Sequence, residues 1–99
     1  MTQSVAVIAR FTPGAQKRST LRALLQGMVG PTRSEPGCLS YDLYEVSEGA
    51  ELVLFERYLD DNALQEHRAT EHYVNYRAQL GDLLDSPISV TVLLPVDEA

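Results

Sequence analysis

Two histidines, a strand glutamate and a group of tyrosines are the residues here whose types could do chemistry. His67 and His72 lie close together. On one continuous helix their spacing would turn the side chains roughly 140° apart. Chelation from a single helix face wants i, i+4. A helix break at Thr70 would bring the rings closer, but the spacing offers no third ligand and no metal is expected. Either histidine could equally be a hydrogen-bonded structural residue. Glu56 shares a strand face with Leu52, Leu54 and Tyr58. A carboxylate in an apolar row is either buried and paired or lines a cavity, and as a base it would need burial to tune its pKa. The tyrosines are Tyr41, Tyr44, Tyr58, Tyr73 and Tyr76, and there is no tryptophan. Tyr73 and Tyr76 sit at i, i+3. They suit a pocket for an aromatic, oxygenated molecule, or simply a small core.

Several machines are absent. There is no Gly-rich phosphate loop, no GxGxxG, no CxxC and no Gly-x-Ser-x-Gly elbow. Cys38 stands alone, which excludes an internal disulfide and a thiolate metal site and fits a small buried hydrophobe in a reducing cytoplasm. Any catalysis would rest on His, Glu, Tyr and Arg in a pocket.

The elements that must position these residues follow from periodicity. Ser4–Thr12 alternates as a strand and stops at Pro13-Gly14. Leu21, Leu24, Leu25, Met28 and Val29 then form the stripe of an amphipathic helix. Pro31 should kink or end that helix. Glu35-Pro36-Gly37 is a turn signal. Cys38–Val46 reads as a second strand, with Leu39, Tyr41 and Leu43 on one face and Asp42 and Tyr44 on the other. Ser47–Ala50 is a polar turn, and Glu51–Leu59 completes an antiparallel hairpin. Asn62–Leu84 is helical. It follows an N-cap at Asp60 or Asp61, and Thr70 restarts it, so two short helices are expected. Pro87–Pro95 alternates as the fourth strand.

This order is β-α-β-β-α-β, the ferredoxin-like split of an α+β protein. Such a four-stranded antiparallel sheet has helices on one face. The bare face here carries β-branched and aromatic residues, so it needs cover, and the available cover is a second copy of the chain.

The chain has 99 residues, read as a single domain over 1–99. Apolar residues make up 44% and charged residues 22%, with a net charge of −6. That balance argues against a nucleic-acid partner and an anionic membrane surface. No apolar run is long enough to span a bilayer, and no secretory signal is visible.

One family is recognisable in these residues. Glu35-Pro36-Gly37-Cys38-Leu39-Ser40-Tyr41-Asp42-Leu43-Tyr44, then Phe55-Glu56-Arg57-Tyr58, Asp60-Asp61-Asn62-Ala63-Leu64-Gln65-Glu66-His67 and Thr70-Glu71-His72-Tyr73 resemble the antibiotic biosynthesis monooxygenase (ABM) family in order and spacing. The resemblance covers nearly the whole chain. It implies a dimeric α/β barrel, two ferredoxin-like units packed sheet to sheet. The superfamily includes cofactor-independent quinol and anthrone oxygenases and haem-degrading enzymes. Tyr58 stands where the family usually has tryptophan. Haem-degrading relatives use a strand-one asparagine, a helical tryptophan and a haem-ligating histidine. This chain has no asparagine in strand one, His67 in the tryptophan's place and Arg77 in the histidine's. No haem or other cofactor is expected.

The implied function is oxygenation of a small phenol, quinol or anthrone-like compound by molecular oxygen. His67 would be the base, since imidazole titrates near neutral pH. Tyr58, Tyr73 and Tyr76 would wall the pocket. Glu56 would orient a histidine or bind a substrate hydroxyl, and His72 would be the reserve base. The alternatives are a dimeric module that binds a small ligand without turnover and a non-oxidative isomerase. Positions 63, 64, 67, 71 and 74 form one helical stripe. It predicts that His67 faces inward with Ala63, Leu64 and Val74, while His72 meets solvent or the partner chain.

Overall fold

The structure, a computed structural model, describes residues 3–99. Strand β1 (Val5–Phe11) leads to helix α1 (Arg18–Arg33), then β2 (Cys38–Glu45) and β3 (Leu52–Tyr58). Helices α2 (Asp61–Arg68) and α3 (Glu71–Leu80) and a 3-10 turn (Gly81–Leu83) precede β4 (Ser89–Leu93). The sheet order is β2-β3-β1-β4, with every neighbouring pair antiparallel. This is the ferredoxin-like α+β arrangement expected from the element order.

Alternation decides what faces the helices. Val5, Val7, Ala9 and Phe11 of β1 point to the helical side, as do Leu52, Leu54, Glu56 and Tyr58 of β3; all eight are buried. The register sets Glu56 opposite both Val7 and Tyr41. α1 buries Leu21, Leu25 and Met28 against this side. Each fully buried leucine contributes about 1.5–3 kcal/mol.

The helical stretch divides at Thr70, as its sequence predicts. Asp60 caps α2 by accepting from the Ala63 N–H at 2.8 Å. Thr70 caps α3 by accepting from the Tyr73 N–H at 3.2 Å and gives its own hydroxyl to the His67 carbonyl at 2.7 Å.

Three details depart from the sequence reading, and a fourth feature adds to it. Pro31 does not end α1, which continues to Arg33. It lies in the last turn, where its missing N–H removes a single helical bond. Leu39 does not share a face with Tyr41 and Leu43, because a bulge between Cys38 and Ser40 shifts the register. Cys38 takes the place opposite Tyr58, and Leu39 is exposed. Val74 is not on an inward stripe but 56% exposed. The break at Thr70 resets the helical phase, and α3 buries Tyr76 and Leu80 instead. Finally, the helices do not cover the whole sheet face. Every residue of β4 is exposed, although Val90 and Val92 point to the helical side, paired with Ala9 and Val7.

Candidate active site

The Glu35-Pro36-Gly37 turn leaves α1 and passes against the start of α2. Gly37 makes this approach possible: a Cβ there would collide with the Ala63 Cβ. The Leu59 N–H donates to the Gly37 carbonyl at 2.9 Å and ties the turn to the exit of β3. His67 lies one helical turn beyond Ala63, so the contact that seats α2 also brings His67 to Glu35.

The Glu35 carboxylate joins the two histidines. Its Oε2 is 2.9 Å from His67 Nδ1 and 2.6 Å from His72 Nε2. Its Oε1 is 3.1 Å from His67 Nδ1. A carboxylate only accepts, so the ring nitrogens facing it carry their protons. A neutral His67 protonated at Nδ1 has its lone pair on Nε2. That atom is 4.0 Å from Glu56 Oε1. Glu56 Oε1 in turn accepts from the Tyr58 hydroxyl at 2.6 Å. Glu35–His67 and Glu56–Tyr58 are thus two hydrogen-bonded pairs set end to end, 4.0 Å apart at His67 Nε2 and Glu56 Oε1.

Burial sets the protonation states. His67 is 2% exposed, and burial lowers its pKa, opposed by the hydrogen bond it donates to Glu35. The imidazole is therefore held neutral and able to accept a proton. Glu56 is pushed up to about 7 by burial, against the Tyr58 hydrogen bond and the Arg68 charge, which lower it. Burial raises Tyr58 and Tyr76 above their ordinary range, so both stay neutral phenols.

An inner cavity of about 20 Å³ lies between α2, α3 and the sheet, lined among others by Glu56, His67, Arg68, Tyr73, Tyr76 and Arg77. That is room for about one water. Arg77 also borders an outer cleft of about 460 Å³ with Leu80, Leu84 and Ile88. Its guanidinium lies over the Tyr73 ring at 5.8 Å and donates to the Tyr73 hydroxyl at 3.0 Å.

Of the residues singled out from sequence, His67, Glu56, Tyr73 and Tyr76 meet at this cavity. Tyr58 does not line it; it is fully buried behind Glu56, as its donor. His72 sits on the far side of Glu35 with its side chain 27% exposed, held by that carboxylate rather than left to solvent. In the sequence, Glu35 stands out only as part of a turn and of the family motif, with no site role. The hairpin register could have found it, because pairing Cys38 with Tyr58 carries residues 35–37 to the place where the chain enters α2. Glu35 also supplies the third ligand that the histidine spacing lacked. Among the described residues, one atom each of Glu35, His67 and His72 lie within 4.8 Å of one another, a donor set that could hold a divalent ion only with the facing ring nitrogens deprotonated.

Known proteins share this architecture and much of the sequence. A protein of Mycobacterium tuberculosis named "Putative monooxygenase Rv0793" is 64% identical over 99 residues, all of this chain and 98% of that one. Its structure superposes with a TM-score of 0.95 over 97% of this chain and 98% of its own. A Bacillus subtilis protein named "Putative monooxygenase YcnE" is 33% identical over 76% of this chain and 80% of its own. The structure of PA3566 from Pseudomonas aeruginosa matches with a TM-score of 0.91 and 28% identity, over 98% of each chain. The sequence profile described as antibiotic biosynthesis monooxygenase matches residues 4–79, the span that holds Glu35, Glu56, Tyr58, His67, His72, Tyr73 and Tyr76. By that match and by its likeness to these relatives, the chain belongs to the antibiotic biosynthesis monooxygenase family.

Proposed function

We propose that this protein is a cofactor-independent monooxygenase acting on a small electron-rich aromatic, a phenol, quinol or anthrone-like compound, with His67 as its base. The observation that carries the reading is the Glu35–His67 pair. Glu35 fixes the ring through Nδ1–H, which leaves Nε2 free beside the cavity walled by Tyr73 and Tyr76. A substrate hydroxyl placed there gives its proton to Nε2, and Glu35 stabilises the imidazolium that forms. Glu56, near its titration midpoint at neutral pH, holds the second hydroxyl or takes its proton. The ionised ring is then electron-rich enough to reduce oxygen itself. For a quinol, the ring gives up four electrons to one O₂. One oxygen atom becomes a ring hydroxyl, the other leaves as water, and the product is a hydroxyquinone.

His67→Ala and His72→Ala separate the roles. With a quinol and isotope-labelled O₂, loss of His67 should cost on the order of 10²–10⁴ in turnover. Loss of His72 should cost far less, since Glu35 still holds His67. Equal, small losses in both folded variants would remove His67 as base and turn the reading towards Glu56 or a protein that only binds. Oxygen uptake without label in the product would exclude monooxygenation.

We further propose that the protein works as a homodimer in a reducing, cytoplasmic setting. Ile8, Tyr44, Phe55 and Leu93 lie on the sheet face away from the helices, and Tyr44 is 56% exposed. An obligate interface over that face would bury more than about 2,000 Å². Light scattering should give twice the chain mass at micromolar concentration; a monomer there would sink this part.

A further inference from the structure

The charges around the inner cavity are distributed unlike those anywhere else on the molecule. The chain has seven arginines, and five of them, Arg10, Arg18, Arg22, Arg33 and Arg57, have a carboxylate within 4 Å. Among the described residues, the two arginines without such a partner are Arg68 and Arg77, and both line the same cavity. In a chain with 14 acidic residues against eight basic ones, unpaired arginines are not the default. Asp85 borders the outer cleft with Arg77 but makes no ion pair with it. Arg68 is half-buried at the end of α2, the residue after His67. A guanidinium cannot shed its charge, and Arg68 acts on Glu56 only through space, with no ion pair within 4 Å among the described residues, so its donors remain open to a ligand.

We propose that the site takes an anionic aromatic ligand, a phenol bearing a carboxylate, whose carboxylate is held between Arg68 and Arg77. This rests on the oxygenase reading for what happens to the ring, but not for the recognition of charge. Both arginines line the cavity together with His67, Tyr73 and Tyr76, so a ligand in it meets two guanidiniums. The planar fork of arginine matches a carboxylate in a bidentate pair, which fixes direction as well as charge. Anchoring the carboxylate at the mouth turns the ring inward, towards Tyr73, Tyr76 and His67 Nε2. The cavity of about 20 Å³ is too small for a ring, whereas the cleft of about 460 Å³ is of ligand size. Arg77 and Ile88 line both spaces. Arg77 is exposed and held by one tyrosine hydroxyl, so swinging it off Tyr73 onto a ligand carboxylate joins the two spaces.

Calorimetric titration of the full-length protein with a dihydroxybenzoate and with its neutral methyl ester tests this. The acid should bind about tenfold or more tightly than the ester, the scale of one charge-assisted hydrogen bond. Added salt should shrink that ratio. Arg68→Gln and Arg77→Gln should each weaken the acid about tenfold and leave the ester unchanged, and the double variant should show no preference. If a glutamine variant fails to fold, Arg68→Lys and Arg77→Lys, which keep the charge but lose the fork, should weaken the acid by a smaller factor. Equal or tighter binding of the ester, no binding of either, or a preference that survives the double variant would overturn the proposal. Oxygen consumption in the same samples keeps the two readings apart. Selective binding of the acid without oxygen uptake leaves the anion site standing and removes the oxygenase. Oxygenation of acid and ester with equal affinity does the reverse.

Discussion

α1 and the α2–α3 pair cover the same face of one sheet, but they meet it with different chemistry. α1 lays Leu21, Leu25 and Met28 on Phe11, Leu52 and Leu54, an apolar contact whose one buried polar side chain from α1 is Thr32 at the helix end. Across the sheet, α2 sets His67 by Glu56, beside a smaller apolar cluster of Val5, Val7, Tyr58, Ala63 and Leu64, while Tyr76 of α3 packs in the α1 cluster against Phe11 and also lines the cavity. The first half is held by area removed from water. The second carries buried groups whose charge depends on pH. Stability and chemistry thus divide along the sheet, with Leu54 and Glu56 two residues apart on one strand as the border and Tyr76 bridging it.

If that division holds, Leu25→Ala should cost the most stability, about 2–5 kcal/mol for a buried leucine, read by urea unfolding. The His67 imidazole resonances should stay where they are. A large shift in those resonances would mean that the two halves are one unit.

Glu56→Gln sharpens the contrast, because it acts only through charge. The Glu56 pKa is raised from 4.5 to about 7 on folding, so the folded state binds this proton more tightly. Its contribution is fully present below about 4.5 and is lost as the pH rises through about 7. His67, lowered by burial, runs the other way: its contribution is present above its ordinary 6.5 and is lost as the pH falls through its folded value. The glutamine still accepts from Tyr58 and never ionises. The variant should therefore be more stable than wild type above pH 7, by at most about 3 kcal/mol. It should also keep the loss at low pH that His67 causes. Parallel pH–stability curves for the two proteins would refute the account.

Gly37→Ala should have the smallest effect on stability, about 1–3 kcal/mol for forced overpacking. Its effect should fall on the polar half, since the added methyl pushes the turn off Ala63 and moves Glu35 from His67. A histidine titration followed by NMR should then show His67 with a pKa lower still, because the Glu35 hydrogen bond that raises it is weakened. An unchanged titration would show that the turn and α2 are not coupled.

The same division explains what could be read in the sequence. The stripe of α1, the alternation of β1 and β3, the cap at Asp60 and the break at Thr70 are local patterns with fixed periods. The sequence also shows Glu56 in an apolar row and His67 on the inner side of α2. Glu35 could not be read as a partner, because its 32-residue separation from His67 is bridged only by the hairpin register and the close pass at Gly37. Val74 and Leu39 went astray for the opposite reason. A single period does not run across the helix break at Thr70 or across the bulge at Cys38 and Ser40, because each resets the phase.

The break at Thr70 also governs how this part of the molecule opens. α2 has eight residues and α3 has ten, both below the roughly 12–15 at which an isolated helix persists in water. Neither can survive as a free segment. Glu35 clasps one histidine from each, so the hydrogen bonds that shape the site also close a small cooperative unfolding unit. Fraying of these helices and dismantling of the His67 base are then a single event, and a ligand that pins His67 is felt as slower amide exchange along both short helices while α1 exchanges at its own pace.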